Sequence, residues 1–188
     1  MFNSPLAFIN VKDLDKFKAR VIKRDPMKAL DSHLLNILLN EKSKIYIDLT
    51  LGIFCHNPMK NNGEEFIELL YEKVIDYVID IESRKILIDL AIYCPNKDLL
   101  LYIKSGNTIE IIEVQGKKVH SLVFEGDKVN FGDKLFYVVT NKNEVHVIKS
   151  HLKGIVLFIG EVFSNGIQNE IMVIAKEENI YELSRCKY

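Results

Sequence analysis

The sequence carries no surplus of charge: 25 Lys and Arg stand against 26 Asp and Glu, a net charge of -1 over 188 residues. Without an overall field to recruit a polyanion, nucleic-acid binding is not expected. Cysteine is sparse, and Cys55, Cys94 and Cys186 make an odd number for a disulfide framework. The N-terminal MFNSPLAFINVKD has no basic flank followed by a long apolar stretch. Together these features make a reducing cytoplasm the expected compartment. No apolar run approaches the roughly 18 residues of a spanning helix, because Lys, Asp or Glu interrupts each one. No membrane span is expected. P-loop, Rossmann, Gly-x-Ser-x-Gly and His-Glu-x-x-His patterns are absent as well, so no recognised motif assembles a nucleophile, a base and an oxyanion donor. A non-catalytic protein is the expectation.

What is present is ordinary globular composition, 48% hydrophobic and 27% charged, in a chain long enough for two small domains. From Asp25 to Lys42, Asp25 can cap a helix beginning at Pro26, with Met27, Leu30, Leu34, Ile37 and Leu38 at helical spacing. Lys44 to Phe54 alternates as a strand, through Ile45, Ile47, Leu49, Leu51 and Ile53. Asn62 and Glu65 fit a capping box for a second helix bearing Phe66, Ile67, Leu70, Val74, Tyr77, Val78 and Ile81. Lys85 to Tyr93 reads as a second strand, broken at Cys94-Pro95. Lys44-Ile-Tyr-Ile-Asp48-Leu resembles Lys85-Ile-Leu-Ile-Asp89-Leu, so the first half reads as a helix-strand unit used twice, with its strands parallel if they are neighbours. After Leu99 no 3.6 period survives and Gly recurs, which predicts strands over 99–104, 108–114, 119–124, 134–140, 144–149, 154–161, 167–175 and 179–183. The expected fold is therefore an α+β or α/β domain over residues 1–105, followed by an all-β domain over 106–188.

Residues 123–140, VFEGDKVNFGDKLFYVVT, and 144–160, EVHVIKSHLKGIVLFIG, resemble the barrel-sandwich hybrid of lipoyl and biotinyl carrier domains. Gly126, Asp127, Val129, Gly132, Leu135, Ser150, Gly154 and Val156 stand at that family's turn, hairpin and Gly-x-Val positions. The whole chain also resembles an uncharacterised family of archaeal proteins carrying such a domain. The resemblance implies a fold, and a carrier would attach lipoate or biotin to a Lys at the hairpin tip, here Lys142. Val139-Thr-Asn-Lys and the flanking Asn141 and Asn143 depart from both carrier patterns. Asn-Lys-Asn is read as a hairpin turn with Lys142 solvated, and carrier attachment is the alternative. No cofactor is expected.

Cys55-His56 and Cys94 follow the two first-half strands, so parallel pairing brings them to one sheet edge, where ligands commonly sit. An imidazole-activated thiolate or a metal held by Cys55, His56 and Cys94 is the alternative to two buried strand-end cysteines. Asp48 and Asp89 occupy equivalent strand positions, and residues 12–28 hold seven Lys or Arg against three Asp. Both are read as solvated surface. The functional expectation is an interaction or assembly module that binds a protein partner or itself.

Overall fold

The computed structural model describes residues 4–26, 37–59, 63–164 and 167–187. Two compact units emerge, one from the residues up to 108 together with those from Tyr181 onward, the other from Ile109–Ile180. The first is a closed barrel of seven strands in the order β1-β4-β2-β3-β16-β8-β7. Its strands are β1 (Leu6–Asn10), β2 (Leu39–Asp48), β3 (Ile53–Cys55), β4 (Glu64–Leu69), β7 (Leu90–Cys94), β8 (Leu99–Ile103) and β16 (Ile180–Arg185), while β5 (Ile79–Asp80) and β6 (Lys85–Ile86) pair with each other outside the ring. An odd number of strands cannot alternate all the way round a closed ring, so one neighbouring pair must be parallel. That pair is β3 and β16, joined through Ser184↔Ile53 and Arg185↔Phe54. Phe8, Ile45, Ile47, Phe54, Phe66, Ala91, Leu100, Tyr102 and Leu183 fill the interior.

This architecture overturns the expected α+β or α/β first domain. The protein is mostly strand, and the expected helix after Asn62 is strand β4 from Glu64 to Leu69, hydrogen-bonded to both β1 and β2. The misreading has a physical cause. Phe66 and Leu69 are fully enclosed and Ile67 is buried, so both faces of β4 are apolar and the alternation that signals a strand is lost. The expected helix over 25–42 falls partly outside the described residues; Ile37 and Leu38 are helical, and from Leu39 onward the segment is β2. Among the described residues, helices include α1 (Leu14–Arg24) and one turn, α2 (Val74–Tyr77), joined by an edge-to-face contact between Phe17 and Tyr77.

The single strand expected over 44–54 is a hairpin. Asp48 Oδ1 accepts from the amides of Thr50 and Leu51, and Gly52 takes φ +66°, turning β2 back into β3. The two similar segments are not a parallel pair either. In the barrel β4 and β1 stand between β2 and β7, and the antiparallel ladders make β2 and β7 run in opposite directions.

The second unit holds β9 (Ile109–Gly116), β10 (Lys118–Ser121), β11 (Lys128–Val129), β12 (Lys134–Val139), β13 (Val145–Lys149), β14 (Gly154–Ser164) and β15 (Ile167–Ala175). They form a three-stranded sheet β10-β12-β13 and a four-stranded sheet β11-β14-β15-β9. One core takes residues from both sheets, including Val119, Leu135, Phe136 and Val138 from the first and Val114, Val156, Met172 and Ile174 from the second. Two turns repeat one construction. Phe124 N donates to Asp127 Oδ2 at 2.8 Å and Asn130 N to Asp133 Oδ2 at 2.7 Å, with Gly126 and Gly132 at φ +86° and +89°. The strands expected over 99–104 and 179–183 are β8 and β16, and both stand in the barrel.

Glu170 shares the inward face of β15 with Met172 and Ile174 and is 6% exposed. Its Oε1 accepts from Gln168 Nε2 at 2.9 Å, while Oε2 has no partner. Burial, and secondarily the Glu161 charge, push its carboxyl above the usual range. The native state then holds this proton more tightly than the unfolded chain, so the charged form destabilises the unit increasingly as pH rises from about 4.5 through the raised value. Glu170→Met is expected to raise the melting temperature of this unit at pH 8 and to lose that advantage at pH 4. Thermal unfolding followed by circular dichroism at the two pH values checks it.

Candidate functional site

The directions of the strands decide what meets at the barrel ends. The ladders make β3, β7 and β16 run the same way, so Cys55, Cys94 and Cys186 all come at the same end. The expected gathering of strand ends therefore occurs through barrel closure, without the parallel pairing of β2 and β7. Its chemistry differs from the expectation. Cys55 is disulfide-bonded to Cys186, across the parallel seam, with Cα atoms 5.4 Å apart. Cys94 lies outside the disulfide and is buried, its Sγ 3.9 Å from the Ile92 carbonyl oxygen. In this oxidised state Cys55 supplies neither a thiolate nucleophile nor a thiolate ligand. Among the described residues no group of three or more His, Cys, Asp or Glu is arranged to hold a metal ion.

A cavity of about 220 Å³ opens at this end. Leu6, Phe8, Ile45 and Phe54 line its apolar part, and His56, Tyr93 and Arg185 its polar part. The Arg185 guanidinium carbon stands 5.5 Å from the Phe54 ring centroid and 5.3 Å from that of Tyr93. Its Nε donates to Asp98 Oδ1 at 3.0 Å and its Nη2 to Tyr93 Oη at 2.8 Å, while Nη1 lies 3.2 Å from His56 Nε2. A guanidinium has no acceptor, so His56 Nε2 must accept, which places the imidazole proton on Nδ1. Tyr93 Oη in turn donates to Asp98 Oδ1 at 2.8 Å.

The electrostatics follow these bonds. The hydrogen bond from Tyr93, then the Arg185 guanidinium, hold the Asp98 carboxyl below its usual range. Burial, then the bond to Asp98, push the Tyr93 phenol up. Arg185, His56 and Tyr93 form a polar arc around an apolar pit, with Asp98 behind it holding Arg185 and Tyr93, an arrangement suited to orienting a small ligand. The sequence reading found Cys55, His56 and Cys94 but missed Arg185, Tyr93 and Asp98. In the sequence, His56 and the strand end at Tyr93-Cys94 are the signals that fall at this site.

Asp48 and Asp89 do not form a carboxylate pair. Asp48 builds the β2–β3 turn, while Asp89 accepts from Ser105 N at 2.8 Å and Tyr102 Oη at 3.0 Å. Burial, reinforced by the Asp89 charge, keeps the Tyr102 phenol protonated far above its ordinary range.

Lys142 lies in the loop between β12 and β13, exposed. Asn143 N donates to the Thr140 carbonyl at 2.9 Å, Thr140 N to the Glu144 carbonyl at 2.9 Å, and Asn143 takes φ +61°. This is a type I turn closed by a left-handed residue, and it puts Lys142 at the hairpin tip.

A family model described as "Uncharacterized protein conserved in archaea (DUF2118)" matches residues 54–177. The uncharacterized protein MJ0859 of Methanocaldococcus jannaschii is 24% identical over 122 residues, covering 64% of this chain and 73% of its own length. Disulfides persist inside cells of hyperthermophilic archaea, so the cysteines do not argue for or against a cytoplasmic location. No helix of the described residues is long and apolar enough to cross a membrane.

Proposed function

Because the chain belongs to the family of uncharacterized proteins conserved in archaea, we propose that it is a non-catalytic interaction module of the cytoplasm that docks an acidic protein partner on its three-stranded sheet. In this reading the second unit is a biotinyl/lipoyl-like barrel-sandwich hybrid. The paired Gly-Asp turns, the two sheets around one core and the protruding β12–β13 hairpin support it.

One observation carries the docking face. β10, β12 and β13 hold Lys118, His120, Lys134, His146 and Lys149 and no acidic residue. Tyr137 pairs in register with Val147 and His120, and Val139 with Val145 and Lys118. Alternation puts these residues on the face opposite the buried Phe136 and Val138. Val145 is 64% exposed on β13, the edge strand. Lys at an edge discourages strand pairing between identical copies, and here it frames an apolar strip with positive charge. An apolar segment flanked by Asp or Glu is complementary to that surface.

The double variant Val145→Asp/Val147→Asp tests this. A partner retained from native extract by the wild-type protein is expected to be released by raised salt and held at least tenfold less by the variant. Equal retention by both proteins overturns the docking face. A second reading, an acyl or carboxyl carrier, is favoured by the place of Lys142 at the exposed hairpin tip. The intact mass of protein from its native host separates the two: the unmodified mass is expected, and an added lipoyl or biotinyl mass on Lys142 replaces the docking reading.

A further inference from the structure

We propose that the cavity at the disulfide end of the barrel binds a small carboxylate with an aromatic body, and that Arg185 anchors the carboxylate. The first ground is shape. An apolar cavity of about 150 Å³ suffices for benzene, and about 220 Å³ is available here, which leaves room for a ring bearing one carboxylate. The apolar part ends on Phe8, Ile45 and Phe54, all buried, so the inner end of the ligand must be hydrocarbon. A bare inorganic anion would gain nothing from such a floor.

The second ground is the orientation of Arg185. Asp98 takes the Nε side of the guanidinium and Tyr93 takes Nη2, while the two aromatic rings flank its plane. The fork is thereby held in place before any ligand arrives, which lowers the ordering cost of binding. Its Nη1 side meets only a neutral acceptor, His56 Nε2, among the bonds of the arc. A carboxylate oxygen there replaces the neutral acceptor with a charged one, so that both partners of the bond are ionised. Asp98 is 60% exposed, so water screens its charge and it orients Arg185 without cancelling its attraction for a second carboxylate. The third ground is covalent. Arg185 lies between Ser184, paired to Ile53, and Cys186, bonded to Cys55, so its backbone is fixed on both sides.

The experiment is titration of the oxidised 188-residue chain with benzoate, followed by amide chemical shifts and calorimetry. Benzyl alcohol serves as the neutral arm and inorganic phosphate as the arm without a ring. Benzoate is expected to produce saturable one-to-one shifts at Phe8, Phe54, His56 and Tyr93, with benzyl alcohol and phosphate at least tenfold weaker. Arg185→Gln is expected to weaken benzoate binding at least tenfold, and Arg185→Lys, which keeps the charge without the fork, to fall between. The absence of saturable shifts at these residues overturns the site. Equal binding of benzyl alcohol or phosphate overturns the ligand class, and undiminished binding by both variants overturns the anchor. The ligand arms need only the wild-type protein, so a poorly folding variant leaves the proposal testable.

Discussion

Phe66→Ala is expected to cost the barrel about 3–5 kcal/mol, the usual range for emptying a buried aromatic site. Phe66 sits in the middle of β4, which is paired on both edges, and it is completely enclosed. Its ring meets Tyr102 edge-on at 5.8 Å with an interplanar angle of 88°, a geometry worth about 0.5–1.5 kcal/mol beyond the area buried. The walls around it are hydrogen-bonded strands that collapse poorly into a void, which places the effect toward the upper end. The loss falls on one unit, because the core of the second unit draws on other residues. Amide hydrogen exchange at matched pH is the measurement. Protection in β1, β2, β4 and β8 should fall by two or more orders of magnitude, while β12, β14 and β15 keep theirs. Equal loss in both units would contradict this.

Cys186→Ser is expected to be the next most damaging change, at about 2–5 kcal/mol. The disulfide spans 131 residues of sequence, and chain-entropy arguments give long loops the larger stabilisation, about 4.7 kcal/mol for a 100-residue loop. The seam it crosses has two register pairs and the flanking bonds Ser184 N to Gly52 O at 3.1 Å and Cys186 N to Phe54 O at 2.9 Å. Breaking the bond leaves that short parallel ladder to close the barrel alone. Denaturant unfolding with and without reductant checks it: the wild type should lose stability on reduction and converge on the variant, which should not respond. A wild type indifferent to reductant would mean that the seam closes without the bond.

The second half was the more legible. Residues 134–139 and 145–149 are short runs rich in Val, Ile, Phe and Tyr, the Gly-Asp turns stand where Gly126 and Gly132 adopt positive φ, and Asn143 closes the hairpin as an Asn can. In the first half, burial on both faces of β4 hid its period, and the Asp48 turn interrupted a run of apolar residues too evenly spaced to betray a break. A strand is also harder to assign to its sheet than to detect. The segment around Leu183 was visible as a strand, yet its place beside β3 depends on how seven strands close a ring, which no local pattern encodes. For the same reason Cys55 and His56 were visible as candidates while Arg185, the residue that organises their surroundings, was not.

The position of β16 also sets the order in which the molecule can be completed during synthesis. The unit over 109–180 is continuous in sequence and has all its strands as soon as residue 180 leaves the ribosome. The barrel begins first and finishes last, since β3 and β8 stay open-edged until the residues from Tyr181 onward arrive to fill the gap between them. Through that interval the nascent barrel offers two unpaired strand edges to its surroundings, the condition in which strand-rich intermediates pair wrongly. The older half of the polypeptide is therefore the younger half of the fold.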